Sequence, residues 1–279
     1  MPPRGAVGSA GSAYGSMKQM AARSTFVWGL QRSGIHLIVN WLYANHGATA
    51  KSDLTSDGLH PKLVDGFADP AAGVAFYNNC GRFYCRQFEL GDLVPADFEE
   101  AALRSSTSIF TIEDCALQHA SRTPRHPDVA TVLVLRDPLN TLASRLEAAK
   151  TRPGQFRTDE PFVDVLESYC AEFLGHTHHL ANKTVISYNR FVEDRPYRDA
   201  LATELGLTNL DAVSEVSEYG GGSSFSGLGR PSPTSSLMTR FEQHPIPAPL
   251  IEMLLERPAI REACATVFGF DLAERVGVA

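Results

Sequence analysis

Two glycines five positions apart, Gly29 and Gly34, bracket Leu30-Gln31-Arg32-Ser33. Before them runs an apolar, β-forming stretch, Thr25-Phe26-Val27-Trp28, and after them apolar residues recur at Ile35, Ile38, Val39 and Leu42. This pattern predicts a strand, a glycine-bounded turn and a helix. Such a turn aims backbone N–H groups and a helix N-terminus at one point, which makes an anion site. A nucleotide phosphate is the anion expected. In the nucleotide-binding P-loop, G-x-x-x-x-G-K-[ST], the last two positions bring a lysine to the β- and γ-phosphates and a hydroxyl to magnesium. Here they are Ile35 and His36, and the positive charge lies inside the loop at Arg32. The loop has kept its shape without the triphosphate lysine or the metal hydroxyl. A donor with fewer phosphates and no required metal follows.

Further along, polar residues recur directly after apolar runs. Asn78 and Asn79 follow residues 73–77, Glu113 and Asp114 follow Ser108-Ile109-Phe110-Thr111-Ile112, and Arg136 follows Val132-Leu133-Val134-Leu135. Ligands of an open parallel sheet bind beyond the carboxyl ends of its strands, so these residues face one crevice. Glu113, the favoured choice, and Asp114 are candidates for the base that takes a proton from a hydroxyl or amine. Asp114 could instead cap a helix over 115–120, and Asp53 and His60 are further candidates for the base. Asp137-Pro138 opens the next helix with a capping residue and a proline at the first position.

Four segments resemble the sulfotransferases that use 3′-phosphoadenosine-5′-phosphosulfate (PAPS). Arg32-Ser33-Gly34 is similar to that family's 5′-phosphosulfate loop, with Gln31 ahead of it and Ile35 and His36 in place of the usual hydroxyl residues. Arg136 and Ser144, eight residues apart after a buried strand, resemble the pair that contacts the donor's 3′-phosphate. Tyr188 follows the run Lys183-Thr184-Val185-Ile186-Ser187 and resembles the tyrosine near the adenine, with Asn189 where an acid is usual. Within the Gly/Ser/Pro-rich stretch 220–233, Ser226, Gly229 and Arg230 match a mobile loop that closes over the 3′-phosphate. The resemblance implies sulfuryl transfer from PAPS to a hydroxyl or amine of a small-molecule or glycan acceptor, leaving adenosine 3′,5′-bisphosphate. Arg32 and the loop N–H groups would stabilise the transferring charge. A small-molecule kinase or NTPase on the same loop, and a catalytically inactive nucleotide-binding module, remain open alternatives.

The elements needed to position these residues are those of an α/β fold of P-loop nucleotide-binding type, a single domain with a central parallel sheet flanked by helices. Residues 24–279 would form it and 1–23, rich in Gly, Ser and Ala, a flexible tail. Strands are expected at 25–28, 73–77, 108–112, 132–135 and 183–188. Helices are expected after Gly34, over 97–104, from Asp137, over 160–181 and 197–205, and as a C-terminal pair at 247–256 and 258–268. The stretch 48–70 reads as loop and short helix. Net charge is −7 with no run of Lys or Arg, which argues against nucleic acid or a membrane surface as partner. Five cysteines without a C-x-x-C pair fit reduced thiols in a cytoplasm. No apolar run approaches the ~18 residues of a membrane span. His176, His178 and His179 lack cysteine or carboxylate ligands at matching spacing, so no metal site is expected there.

Overall fold

A computed structural model describes residues 23–46, 65–69, 74–78, 107–118, 129–208, 211 and 239–278. Six strands form one sheet: β1 (Arg23–Gly29), β2 (Asp65–Asp69), β3 (Val74–Asn78), β4 (Thr107–Glu113), β5 (Val129–Leu135) and β6 (Lys183–Ser187). Their spatial order is β2-β3-β4-β1-β5-β6. All neighbouring pairs are parallel except β2 with β3, which run antiparallel at the edge. The fold is α/β with a central parallel sheet, as expected, but β2 is an addition in a stretch read as loop and short helix. Its sequence, DGFAD, lacks the apolar alternation that marks a strand, and pairing with β3 supplies what local sequence does not.

The helices are α1 (Ile35–Asn45), α2 (Pro138–Thr151), α3 (Glu160–Leu174), α4 (Tyr188–Glu193), α5 (Arg195–Glu204), α6 (Arg240–Gln243), α7 (Ala248–Leu255), α8 (Pro258–Thr266) and α9 (Leu272–Val276). They cover both faces because strand side chains alternate. Phe26, Trp28, Phe110, Ile112, Leu133 and Leu135 face a core shared with α2, α3, α7 and α8. Val27, Ile109, Val132, Val134 and Ile186 face a second core shared with α1, α4 and α5. Each such side chain contributes about 1.5–3 kcal/mol by leaving water.

Two boundaries differ from the sequence reading. The helix expected over 160–181 stops at Leu174, where Gly175 takes φ 81 and caps the chain. Glu172 then fixes the segment that follows: its carboxylate accepts from Thr177, the His179 and Leu180 N–H groups and Lys183. Tyr188, expected as the last strand residue, opens α4. Arg23, counted with the tail, begins β1. Residues 1–22, 97–104, 220–233, Asn79, Asp53 and His60 lie outside the described residues.

Candidate functional site

Strand ends meet along one edge of the sheet. Gly29 of β1 is level with Glu113 of β4, and Leu135 of β5 with Ser187 of β6. Residues 30–34, Asp114, Arg136 and Tyr188 follow those ends and so share the edge; the backbone of Asn78 closes β3.

The 30–34 loop is a tight turn. The Ser33 N–H donates to the Leu30 carbonyl at 3.0 Å, and both Arg32 (φ 73) and Gly34 (φ 85) take left-handed backbone. Gly34 admits no side chain, because a Cβ there would fall 2.1 Å from Tyr188 Cε2. Helix α1 starts at the next residue with no side-chain cap and no acid in its first turn. Its first N–H groups, on Ile35 and His36, therefore have no intrahelical acceptor, and the positive end of the helix dipole opens onto the loop.

A buried brace holds this turn from behind. The Gln31 N–H donates to Asp114 Oδ1 at 3.0 Å, and the Asp114 N–H donates to the Gly29 carbonyl at 3.1 Å. Arg145 Nη1 donates to the Gln31 carbonyl at 3.1 Å and to both Asp114 oxygens at 3.0 Å. Its Nε donates to the Arg157 carbonyl at 2.8 Å, and its guanidinium sits 3.9 Å over the Phe162 ring. Asp114 (φ 56) thus holds the loop. Among the described residues 115–118 there is no α-helix for it to cap. Arg145 was missed in the sequence, although a charge three residues after Leu142, on the apolar face of a helix, was a usable signal.

Three further arginines close on the same point. Arg136 Nη1 donates to the Arg32 carbonyl at 3.2 Å, and its guanidinium lies 5.2 Å from the centre of the Tyr188 ring. Arg240, buried at the start of α6, was not anticipated, since nothing around Thr239-Arg240-Phe241 marks a motif. The Phe241 N–H donates to Asn140 Oδ1 at 3.2 Å and ties α6 to α2. Burial, then the charges of Arg152 and Arg136, pull the Arg32 guanidinium down to about 10, with Glu113 opposing. Burial, then Arg136, pull Arg240 down to about 10, with Arg32 adding to the effect. Like charges held together out of water raise the energy of the ligand-free fold. Ser144 is buried on α2 next to Arg145.

Asp137 caps α2 as expected, accepting from the Asn140 N–H at 2.8 Å. Asn189 exchanges hydrogen bonds with it, Nδ2 donating to Oδ2 at 3.1 Å and Oδ1 accepting from the Asp137 N–H at 3.3 Å. That pairing ties the ends of β5 and β6, a task an amide performs with one donor and one acceptor.

Glu113 is buried at the same edge. Burial, then the neighbouring Asp114 charge, push its carboxyl up to about 8, while Arg145 and Arg32 pull the other way. His36 Nε2 lies 3.7 Å from Glu113 Oε1. The Ser33 hydroxyl, Arg32 Nε and Gln31 Oε1 are buried without a hydrogen-bond partner among the described residues. Buried polar groups of this kind call for a partner, which a ligand or an ordered water can supply. The edge thus offers a concentrated positive field, open donors and one carboxyl able to exchange a proton near neutrality.

Elsewhere, His176 pairs with Glu262 at 3.2 Å. Among the described residues no group of three His, Cys, Asp or Glu could hold a metal ion. No described helix is long and apolar enough to cross a membrane. Cys115, Cys170 and Cys264 are buried thiols in no disulfide among the described residues.

No family model and no curated protein matches the chain. Solved structures do match. One is the crystal structure of mouse sulfotransferase SULT7A1 complexed with PAP, 13% identical with a TM-score of 0.31, covering 71% of this chain and 64% of that one. Another is the sulfotransferase domain from the curacin biosynthetic pathway, 13% identical with a TM-score of 0.43, covering 88% of this chain and 96% of that one. Both of these structures are sulfotransferases. This chain spans somewhat less than two thirds of the mouse structure.

Proposed function

We propose that the chain transfers a sulfuryl group from PAPS to a hydroxyl or amine of a small-molecule or glycan acceptor. The observation that carries the reading is the clustering of Arg32, Arg136 and Arg240 at the loop that leads into the uncapped α1. An anion charged at both ends relieves the repulsion among these arginines. Ile35, buried at the start of α1, stands where a triphosphate-binding loop needs its lysine, which favours a phosphosulfate over ATP.

In this reading Gln31, Arg32, Ser33, Gly34, Ile35 and His36 hold the phosphosulfate end, with donors from the Ser33 hydroxyl, Arg32 Nε and the first N–H groups of α1. Arg136, Ser144 and Arg240 hold the 3′-phosphate. Ser226, Gly229 and Arg230 are proposed to join them, and Tyr188, packed on Gly34 and Arg136, borders the adenine. PAPS would supply an activated sulfuryl group, with charge developing on its sulfuryl oxygens and on the departing phosphate oxygen. The chain's work is to position it and stabilise that charge. Glu113 takes the acceptor's proton.

The test is calorimetric binding of adenosine 3′,5′-bisphosphate to wild type and Arg136→Ala. A hydrogen bond to a charged group contributes about 1.5–3 kcal/mol, so the variant should bind roughly tenfold to a hundredfold more weakly. Equal affinity would remove Arg136 from the site.

A further inference from the structure

The proton that Glu113 accepts has to leave again each turnover, and Glu113 has almost no contact with water: 7% of its side chain is exposed, against 33% for His36. The two meet at 3.7 Å, with His36 Nε2 facing Glu113 Oε1. His36 is the second residue of α1 and Glu113 the last of β4, so the main chain of two rigid elements fixes the pair. In the loop pattern this position carries a hydroxyl for a metal ion. An imidazole can instead give and take a proton near neutral pH.

We infer that His36 is the proton outlet of Glu113: the two form one acid–base pair, in which the buried carboxylate takes the acceptor's proton and the imidazole passes it to solvent. This rests on the sulfuryl-transfer reading. The acceptor oxygen or nitrogen forms a bond to sulfur as the bond from sulfur to the bridging oxygen breaks. That electron pair stays on the departing adenosine 3′,5′-bisphosphate. The acceptor's proton goes to Glu113, then through His36 to water. His36 acts through Glu113 and is a positioning and relay residue.

The charges facing the pair favour this division of labour. Asp114, next along the chain, opposes ionisation of Glu113, while Arg32 from the loop and Arg145 from α2 promote it. A protonated His36 from α1 adds a third cation at close range and favours the ionised carboxylate that can act as base. The imidazolium then releases its proton to water and takes the one held by Glu113, which restores the resting pair.

Two titrations on the full chain test the coupling without needing the acceptor. The His36 imidazole is followed by nuclear magnetic resonance in wild type and Glu113→Gln, and the Glu113 carboxyl by infrared absorption in wild type and His36→Gln. His36→Gln alters a partly exposed side chain and leaves the core intact, so it decides the matter even if Glu113→Gln folds poorly. Coupling lowers the imidazole midpoint in Glu113→Gln and raises the carboxyl midpoint in His36→Gln, each by about one pH unit or more. Midpoints that do not respond overturn the pair. Adenosine 3′,5′-bisphosphate is titrated into the same samples. If it fails to bind wild type, the donor reading falls while the pair is still judged by its midpoints. If it binds and the midpoints stay put, only the outlet falls.

Discussion

The ring of Tyr188 occupies the space where a side chain on Gly34 would begin: a Cβ built there falls 2.1 Å from Tyr188 Cε2. Gly34 also holds φ 85. The tyrosine that opens α4 and the loop glycine, far apart in sequence, are therefore one structural unit. Gly34→Ala has two costs, roughly 1–2 kcal/mol for left-handed backbone and about 1–3 kcal/mol for overpacking. Thermal unfolding should show the loss, and bisphosphate binding should fall with it. Tyr188→Ala combined with Gly34→Ala should recover the packing part only, which a double-mutant cycle on the unfolding free energies reads directly.

Removing one partner of the brace should be more damaging than any change on the loop surface. Arg145→Ala leaves Asp114 and the Gln31 carbonyl without their main partner. The expected loss is about 3 kcal/mol, the low end for a broken buried pair because a quarter of the Asp114 side chain reaches solvent. Chemical denaturation measures it. A loss well under about 1 kcal/mol would mean the brace is marginal. Arg145→Lys should recover little, since one ammonium cannot serve Arg157, Gln31 and Asp114 together.

The sequence disclosed the strand, turn and helix around Gly29, the buried β5 and the Asp137 cap because each rests on local periodicity or a local capping rule. Arg145 and Arg240 were hidden for a different reason. Both are single charges whose role depends on contacts with residues about a hundred positions away, Gln31 with Arg145 and Asn140 with Phe241. Composition and spacing carry no record of such contacts. Strand β2 was hidden because its five residues are mostly small or acidic and are held by their partner strand.

Arg240→Met should separate stability from binding. The wild-type guanidinium is buried beside like charges, so replacing it with an apolar side chain should leave the ligand-free melting temperature unchanged or higher. Bisphosphate affinity should drop about tenfold or more. Scanning calorimetry with and without the bisphosphate gives both numbers. A large loss of ligand-free stability would mean Arg240 is a structural anchor.

Glu113 gives stability a pH dependence whose sign is fixed. Its folded carboxyl titrates at about 8, against the ordinary 4.5, so between those values the folded chain binds a proton that the unfolded chain releases. The contribution of Glu113 is fully present below 4.5 and is lost as pH rises through 8. Glu113→Gln cannot ionise, so its melting temperature relative to wild type should climb between about pH 5 and about pH 9. Parallel curves would mean the wild-type carboxyl titrates normally.

The donor site is tested most directly by calorimetric binding of adenosine 3′,5′-bisphosphate against ATP, each with and without magnesium. A phosphosulfate site built from arginines and helix N–H groups should prefer the bisphosphate, and magnesium should not change that preference. Tighter binding of ATP that depends on magnesium would contradict sulfuryl transfer and turn the same loop toward phosphoryl chemistry.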